Sequence, residues 1–190
     1  MIELRNVSFS YEGKPVVSRL STRFEAPGAY ALVGPSGCGK TTLMMLLAGL
    51  LKPTDGEVSY TGNPRIAVCF QEDRLMPWLT VLQNVAMSIP EQLKTRRLAA
   101  GRAWLSSIGL ADAANQYPAA LSGGMKRRAA LARALAYEGD ILLLDEPFRA
   151  LDEEMHQEML HFVRTHGQGK LLILVTHDMR DTEGMRVLRL

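Results

Sequence analysis

The sequence predicts an α/β fold built on a parallel sheet, and three observations lead to that prediction. Strand-like and helix-like segments alternate along much of the 190 residues. The apolar runs ILLL (141–144) and LLILV (171–175) lack polar alternation, which is typical of parallel strands covered on both faces. A third apolar run, YALVG (30–34), ends in glycine and leads into a helical segment, as the first unit of a parallel α/β sheet does.

The N-terminal part contributes further strands and one helix. IELRNVSFSY (2–11) alternates apolar and polar residues, which predicts a half-buried antiparallel strand. EVSY (57–60) and RIAVCF (65–70) also predict strands, whereas LMMLLAGLL (43–51) has the length of a helix.

From about Glu72 to Ala120 the pattern changes to helical. EQLKTRRLAAGRAWLSSIGL (91–110) carries apolar residues at helical offsets, and the region contains no convincing strand. We therefore interpret the chain as a single domain over 1–190. Its core and β-subdomain cover 1–71 and 121–190, and a helical subdomain is inserted at 72–120.

The C-terminal part alternates helix and strand again. MKRRAALARALAYEG (125–139) and EEMHQEMLHFVRTHG (153–167) predict helices, and RVLRL (186–190) predicts a short last strand. Seven basic residues in the two helical regions are interleaved with Leu and Ala, which indicates solvated helix faces and not a nucleic-acid surface. These residues are Lys94, Arg96, Arg97, Arg102, Lys126, Arg127 and Arg128.

The composition excludes several classes of protein. A net charge of +2 is too small to indicate nucleic acid as the main partner. The longest apolar run, at 43–51, is shorter than the ~20 residues of a membrane span. The N-terminus has no signal-peptide pattern, so we expect a cytosolic protein.

The cysteines and histidines do not indicate a metal site made only of side chains. Cys38 and Cys69 form neither a disulfide framework nor a metal-ligand spacing. None of the histidines is paired at zinc-finger spacing, and we expect three of the four to be solvated on or beside a surface helix. Those three are His156, His161 and His166.

The segment GPSGCGKTT (34–42) predicts a nucleoside triphosphate site. It fits G-x-x-x-x-G-K-[ST] between a strand and a helix, where backbone N–H groups form a positive concavity for phosphates. Lys40 would reach the β- and γ-phosphates, and the Thr41 hydroxyl would ligate Mg²⁺. The alternative is a chance glycine turn, which this context disfavours. The predicted binding residues are Gly34, Pro35, Ser36, Gly37, Cys38, Gly39, Lys40, Thr41 and Thr42.

Polar residues at strand ends add candidates for catalysis. Asp145 and Glu146 follow a buried strand, so Asp145 would hold Mg²⁺ and Glu146 would orient or deprotonate water. His177 ends another strand, where it could hydrogen-bond the γ-phosphate. Gln71 could touch Mg²⁺ or water. Tyr11 could stack on adenine, although a strand-end tyrosine without a role fits nearly as well.

A second glycine turn, LSGGM (121–125), also opens a helix, and such a turn suits phosphate. With these motifs in order, the sequence resembles the ATP-binding subunit of an ABC (ATP-binding cassette) transporter over nearly its whole length. The resemblance implies a P-loop NTPase with a RecA-like parallel-sheet core, an N-terminal antiparallel β-subdomain and an inserted helical subdomain. Its motifs are Tyr11, GPSGCGKTT, Gln71, LSGGM, ILLLDEP, RALD (149–152) and His177.

The resemblance assigns roles to these residues, with ATP as ligand and Mg²⁺ as cofactor. Two subunits would form a homodimer that holds two ATP molecules, in which Ser122, Gly123 and Gly124 contact the nucleotide of the partner. The implied catalytic residues are Glu146, His177, Gln71 and Lys40. The implied metal ligands are Thr41, Gln71 and Asp145.

A narrower resemblance lies in FQEDRLMPWLTVLQNVAM (70–87) and in LSGGM followed by Lys-Arg-Arg. It is similar to the subgroup that serves bacterial importers of nitrate, taurine and sulfonates. The implied partners are an integral-membrane permease and, indirectly, a solute-binding protein, with the cassette held at the cytoplasmic face of the membrane. The helical subdomain would receive the permease.

The sequence departs from the family pattern at Met125, where glutamine is frequent, and at Arg149, where serine or glycine is frequent. The thirteen residues after His177 are a few fewer than is usual in the family. These departures leave open a nucleotide-binding module with little hydrolysis. A second alternative is a soluble ABC protein of translation or DNA repair, although this sequence has neither the second cassette nor the long coiled coil of those proteins. A P-loop small-molecule kinase is disfavoured because LSGGM would have no role in it.

Overall fold

The computed structural model describes residues 1–90 and 94–190. The first three residues of the helix predicted over 91–110 lie outside the described residues. The chain forms two compact units. Unit 1 comprises Met1–Val68, Asp140–Glu146 and Gly167–Leu190, and unit 2 comprises Cys69–Gly139 and Pro147–His166. The predicted boundaries of the inserted subdomain, 72–120, stay a prediction.

The main sheet has five strands in the order β5-β6-β7-β3-β8. These strands are β3 (Gly28–Val33), β5 (Ile66–Cys69), β6 (Ile141–Asp145), β7 (Leu171–Val175) and β8 (Arg186–Arg189). β7 pairs in parallel with both β3 and β6, and β8 pairs in parallel with β3. Every residue of β6 and β7 is buried, as the unbroken apolar runs predicted.

A smaller antiparallel sheet has the strand order β2-β1-β4. It contains β1 (Ile2–Tyr11), β2 (Lys14–Phe24) and β4 (Asp55–Tyr60). The apolar positions of β1 are buried, which confirms the predicted half-buried strand. The sequence analysis did not predict β2, because KPVVSRLSTRF has only a weak apolar alternation. Pairing with β1 fixes this strand.

The helix predicted over 43–51 starts and ends earlier in the structure. This helix, α1 (Lys40–Leu47), begins inside the glycine loop and is capped by Ala48. Gly49 then takes a left-handed φ of 70°, which terminates an α-helix at low cost for glycine. The apolar run continues beyond the helix, and Leu50 is exposed.

Unit 2 is helical in its described part. Its helices are α2 (Val81–Ala86), α3 (Lys94–Ser107), α4 (Gly123–Ala136) and α5 (Glu153–His166), with 3₁₀ turns at Ala111–Ala113 and Pro118–Ala120. A capping box starts α2, because Thr80 and Gln83 exchange side-chain to backbone hydrogen bonds. The fully buried Asn84 holds the preceding turn through the backbone of Met76, Leu79 and Thr80. Among the described residues, no helix is long and apolar enough to cross a membrane.

Some side chains interpreted as solvated are buried or half-buried. Arg127 is only 2% exposed, so the interpretation of its helix face as solvated is wrong at that position. His156 and His166 are half-buried and contact Phe148 and Phe162, with ring centroids 5.0 and 4.1 Å apart, respectively. Phe162 lies on the predicted surface helix itself, whereas Phe148 precedes it.

Candidate nucleotide-binding site

The glycine loop 34–39 joins β3 to α1 in a shape that requires glycine. Gly37 and Gly39 have φ values of 80° and 98°, in the left-handed region that side chains disfavour. A Cβ at Gly39 would lie 2.8 Å from Val16 Cγ1, and one at Gly34 would lie 2.8 Å from Cys38 Sγ. The glycines therefore allow both the turn and its close packing.

The Lys40 ammonium lies over this loop. Its Nζ donates to the backbone oxygens of Gly34 and Pro35, each at 2.8 Å, and lies 3.8 Å from Cys38 Sγ. The first turn of α1 contains no acidic residue. A positive side chain and a positive helix N-terminus therefore meet at one loop, which suits a polyphosphate.

The two predicted metal ligands of unit 1 lie together. Thr41 Oγ1 donates to Asp145 Oδ2 at 2.7 Å, although the two residues are 104 positions apart in the sequence. Asp145 is 1% exposed at the end of β6. A hydroxyl and a carboxylate side by side next to a phosphate loop are hard oxygen donors of the kind Mg²⁺ prefers, so these residues fit the ion.

Glu146 and His177 also lie together, at the ends of neighbouring strands. His177 Nδ1 is 3.4 Å from Glu146 Oε1, and the His177 side chain is 72% exposed. Glu146 has a left-handed φ of 44°, and its N–H donates to Val175 O at 2.9 Å. A non-glycine residue in this region stores strain, which is frequent at functional sites. The turn after β7 is fixed by a buried hydrogen bond from Thr176 to Asp181.

Tyr11 is exposed at the end of β1. Its ring makes an edge contact with Phe9, with centroids 4.9 Å apart and planes at 81°. The contact supports the ring while 47% of the residue stays accessible to solvent.

In unit 2, the LSGGM turn forms the N-terminus of α4. Ser122 is the N-cap and its hydroxyl accepts a hydrogen bond from Met125 N at 3.3 Å. Ser122 and Gly123 are exposed, and a Cβ at Gly123 would meet no atom of the described residues within 4 Å. α4 has no acidic residue in its first turn. The turn therefore offers an open, positively polarised helix start.

The sequence analysis missed two arginines of α4 that hold the segment containing Gln71. Arg127 donates to Phe70 O at 2.6 Å and to Gln71 O at 3.3 Å. Arg133 donates to the backbone oxygens of Asp73 and Arg74, and burial is the main cause that lowers the pKa of its guanidinium. Helical spacing could have revealed Arg127, because Leu131 and Ala134, on the same face, are buried.

Comparison with known families supplies the identification. The family model described as ABC transporter matches residues 17–149. The chain belongs to the ABC transporter family. As an ABC family member it is an ATPase cassette, as its ordered motifs predicted.

The relatives of this ABC cassette include two sulfonate-import proteins. One is the aliphatic sulfonates import ATP-binding protein SsuB 3 of Pseudomonas savastanoi pv. phaseolicola, 39% identical over 188 residues, covering 95% of this chain and 68% of the relative. The other is the aliphatic sulfonates import ATP-binding protein SsuB of Yersinia pestis, 41% identical over 189 residues, covering 95% of this chain and 68% of the relative. These matches confirm the predicted resemblance to the nitrate, taurine and sulfonate importer subgroup.

Solved ABC cassettes share the fold. A dimeric post-hydrolysis state of the ATP-binding cassette MJ0796 bound to ADP and Pi has a TM-score of 0.92 at 28% identity, covering 100% of this chain and 94% of that chain. A bacterial Atm1-family exporter with ATP bound has a TM-score of 0.87 at 26% identity, covering 100% of this chain and 36% of that chain. The predicted α/β P-loop NTPase fold is therefore confirmed, whereas the roles of individual site residues stay predictions.

Proposed function

We propose that this ABC cassette hydrolyses ATP to drive a bacterial importer of a small solute, with an aliphatic sulfonate as the leading candidate. The observation that carries the proposal is the 2.7 Å contact of Thr41 and Asp145 directly beside the glycine loop. It brings a hydroxyl and a buried carboxylate to a loop shaped for phosphate, which is what a metal-nucleotide site needs. The names of the sulfonate-import relatives supply the solute class.

Binding would be divided among a few side chains and backbone groups. The backbone N–H groups of residues 36–42 and the Lys40 ammonium would hold the β- and γ-phosphates, and Tyr11 would stack on the adenine. Thr41 and Asp145 would hold Mg²⁺ together with Gln71, and the ion would neutralise charge on the β- and γ-phosphate oxygens. Lys40 would exchange its hydrogen bonds with loop carbonyls for phosphate oxygens.

Hydrolysis would be carried out by the strand-end pair. A water molecule attacks the γ-phosphorus, the bond between that phosphorus and the β,γ-bridging oxygen breaks, and the Glu146 carboxylate accepts the proton of the water. His177, which lies beside Glu146, would donate a hydrogen bond to the γ-phosphate and hold it in line for attack. The products are ADP and phosphate.

The exposed LSGGM turn would act on the nucleotide of a second subunit. In a head-to-tail homodimer, Ser122, Gly123 and Gly124 would contact the γ-phosphate held by the partner. ATP would then stabilise the dimer and hydrolysis would weaken it, because the bridging charge is removed. Two observations support this: the open helix start in this chain and the dimeric form of the related MJ0796 cassette.

The membrane partner would be an integral-membrane permease that docks on unit 2, with the cassette held at the cytoplasmic face. Trp78 supports this placement, since it is 70% exposed, which is unusual for a large aromatic residue. A solute-binding protein would deliver the solute from the other side of the membrane.

Reconstitution tests the proposed function as a whole. The chain is co-expressed with a candidate permease and a candidate solute-binding protein, and phosphate release is measured in proteoliposomes with ethanesulfonate, taurine, nitrate or no solute. We expect a sulfonate to stimulate ATP hydrolysis. Stimulation by nitrate alone would change the solute assignment. Association with ribosomes or DNA and no permease complex would contradict the transport role.

Replacing Asp145 by Asn is expected to weaken Mg²⁺ dependence while leaving metal-free nucleotide binding largely intact. The amide keeps the shape of the side chain but loses the charge that a divalent cation needs. Titration of ATP hydrolysis with Mg²⁺ should show an activation constant raised by about tenfold or more. The matched control is Asp112→Asn, in an exposed 3₁₀ turn. An unchanged Mg²⁺ titration for the Asp145 variant would remove this residue from the metal site.

A further inference from the structure

Among the described residues of unit 2, Arg127 is the most deeply buried basic residue. The proposed function gives it no role. The residue is 2% exposed, although it lies in the second turn of α4, whose N-terminal residues Ser122 and Gly123 are exposed. A charged side chain is rarely buried in this way unless several acceptors surround it. Its acceptors are therefore informative about why an arginine occupies this position.

The guanidinium of Arg127 joins two stretches of backbone to α4. Nε donates to Pro147 O at 3.1 Å. Nη1 donates to Phe70 O at 2.6 Å and to Gln71 O at 3.3 Å, and it lies 3.3 Å from the Asp73 carboxylate. Pro147 directly follows Glu146 in the chain, so one side chain contacts the backbone next to two residues of the proposed reaction.

Arg133 extends the same attachment along α4. Its guanidinium donates to Asp73 O at 2.9 Å and to Arg74 O at 2.7 Å. Acceptors in Phe70, Gln71, Asp73 and Arg74 are thus all bound to arginines of one helix. The segment 70–74 is held to α4 through charged hydrogen bonds, whose strength and directionality exceed those of neutral ones.

We propose that Arg127 is a positioning residue that fixes the backbone at Gln71 and the backbone directly after Glu146 to the helix that LSGGM begins. The inference rests on the proposed function. It gives a role to a residue that is not part of the ordered motifs. The forked geometry matters because a guanidinium can donate in several fixed directions at once, whereas an ammonium acts as a point charge. Through this attachment, a displacement of the LSGGM helix is transmitted to the backbone next to Glu146.

The test compares the turnover of ATP with its binding. Arg127→Gln is expected to lower kcat by on the order of tenfold to a hundredfold, since small displacements of reacting groups have effects of that size. The KM for ATP should change by less than about twofold, because residues 34–42 hold the phosphates. Arg127→Lys should restore part of kcat, and Arg133→Gln should have a smaller effect because it frees only Asp73 and Arg74.

Arg102→Gln is the matched control, since Arg102 is exposed on α3 and the substitution is the same. Wild-type kcat in Arg127→Gln would overturn the proposal. A parallel loss of kcat, ATP affinity and folded protein in Arg127→Gln, without rescue by Arg127→Lys, would also overturn it, since a purely structural role predicts that pattern.

Hydrogen exchange tests the attachment without relying on hydrolysis. In Arg127→Gln, amide exchange should rise in residues 70–74 and 147–151 and stay unchanged in residues 34–42. Unchanged exchange in the first two segments would contradict the inference even if the proposed function holds. A wild-type chain that hydrolyses no ATP in the reconstituted complex would contradict the proposed function, and the exchange result would then stand by itself.

Discussion

Replacing Glu146 by Gln is expected to reduce ATP turnover by at least about a hundredfold while ATP binding stays close to wild type. The amide has nearly the same shape as the carboxylate but cannot accept a proton from the attacking water. The nucleotide would still be held by the loop at 34–42, by Lys40 and by the metal ligands. Because hydrolysis would no longer remove the bridging charge, ATP should accumulate in a stable dimer.

Two measurements check this result. Phosphate release gives the turnover, and light scattering after size-exclusion chromatography with MgATP gives the mass of the complex. Glu154→Gln is the matched control, because Glu154 is exposed on α5 and undergoes the same substitution. Near-normal hydrolysis in the Glu146 variant would contradict the role assigned to this carboxylate.

Replacing Ser122 by Arg is expected to abolish hydrolysis although Ser122 would not touch the nucleotide of its own subunit. The bulky side chain would fill the exposed N-terminus of α4, where the backbone N–H groups would contact the partner's γ-phosphate. ATP binding to the isolated subunit should persist, and ATP-dependent dimerisation should be lost. Retained turnover would contradict the role of the LSGGM turn.

Mixing two inactive variants distinguishes action on the partner from action within one subunit. A heterodimer of Ser122→Arg and Lys40→Ala chains has one complete site, formed by the intact loop of the first chain and the intact LSGGM turn of the second. In an equal mixture of the two chains, random pairing should therefore restore about a quarter of the wild-type sites, and pairing into heterodimers alone should restore about half of them. Each variant alone should be inactive. If ATP-dependent heterodimers form but no activity returns, the turn does not complete the partner's site.

Met125→Gln provides the control for the same turn. Met125 donates its backbone N–H to the Ser122 hydroxyl, and any residue but proline can make that contact. We expect the activity to change by less than about threefold, as is usual where a substitution keeps the backbone contacts. A large loss would show that the side chain at 125, and not the amides of 122–124, contacts the nucleotide.

Much of the fold followed from local patterns. Leu142, Leu143 and Leu144 are followed by Asp145, so a continuous apolar run that ends in an acid was enough to predict a buried strand and the polar end of the sheet. In contrast, β2 has exposed and half-buried positions mixed along it, and it exists because β1 offers it a pairing partner. The apolar pattern of a segment predicts well which side chains are buried, but it predicts poorly which strand the segment pairs with.

The sequence by itself determined the family and the order of its motifs, because each motif is a short stretch whose residue types, such as glycine at 34 and 39, are required by local geometry. Only the tertiary structure decided that Thr41 and Asp145 lie 2.7 Å apart and that Arg127 is buried among backbone oxygens. The physical reason is the distance along the chain over which each effect acts. Backbone conformation and helical periodicity act over a few residues, whereas the burial of a charge depends on acceptors brought from distant parts of the chain.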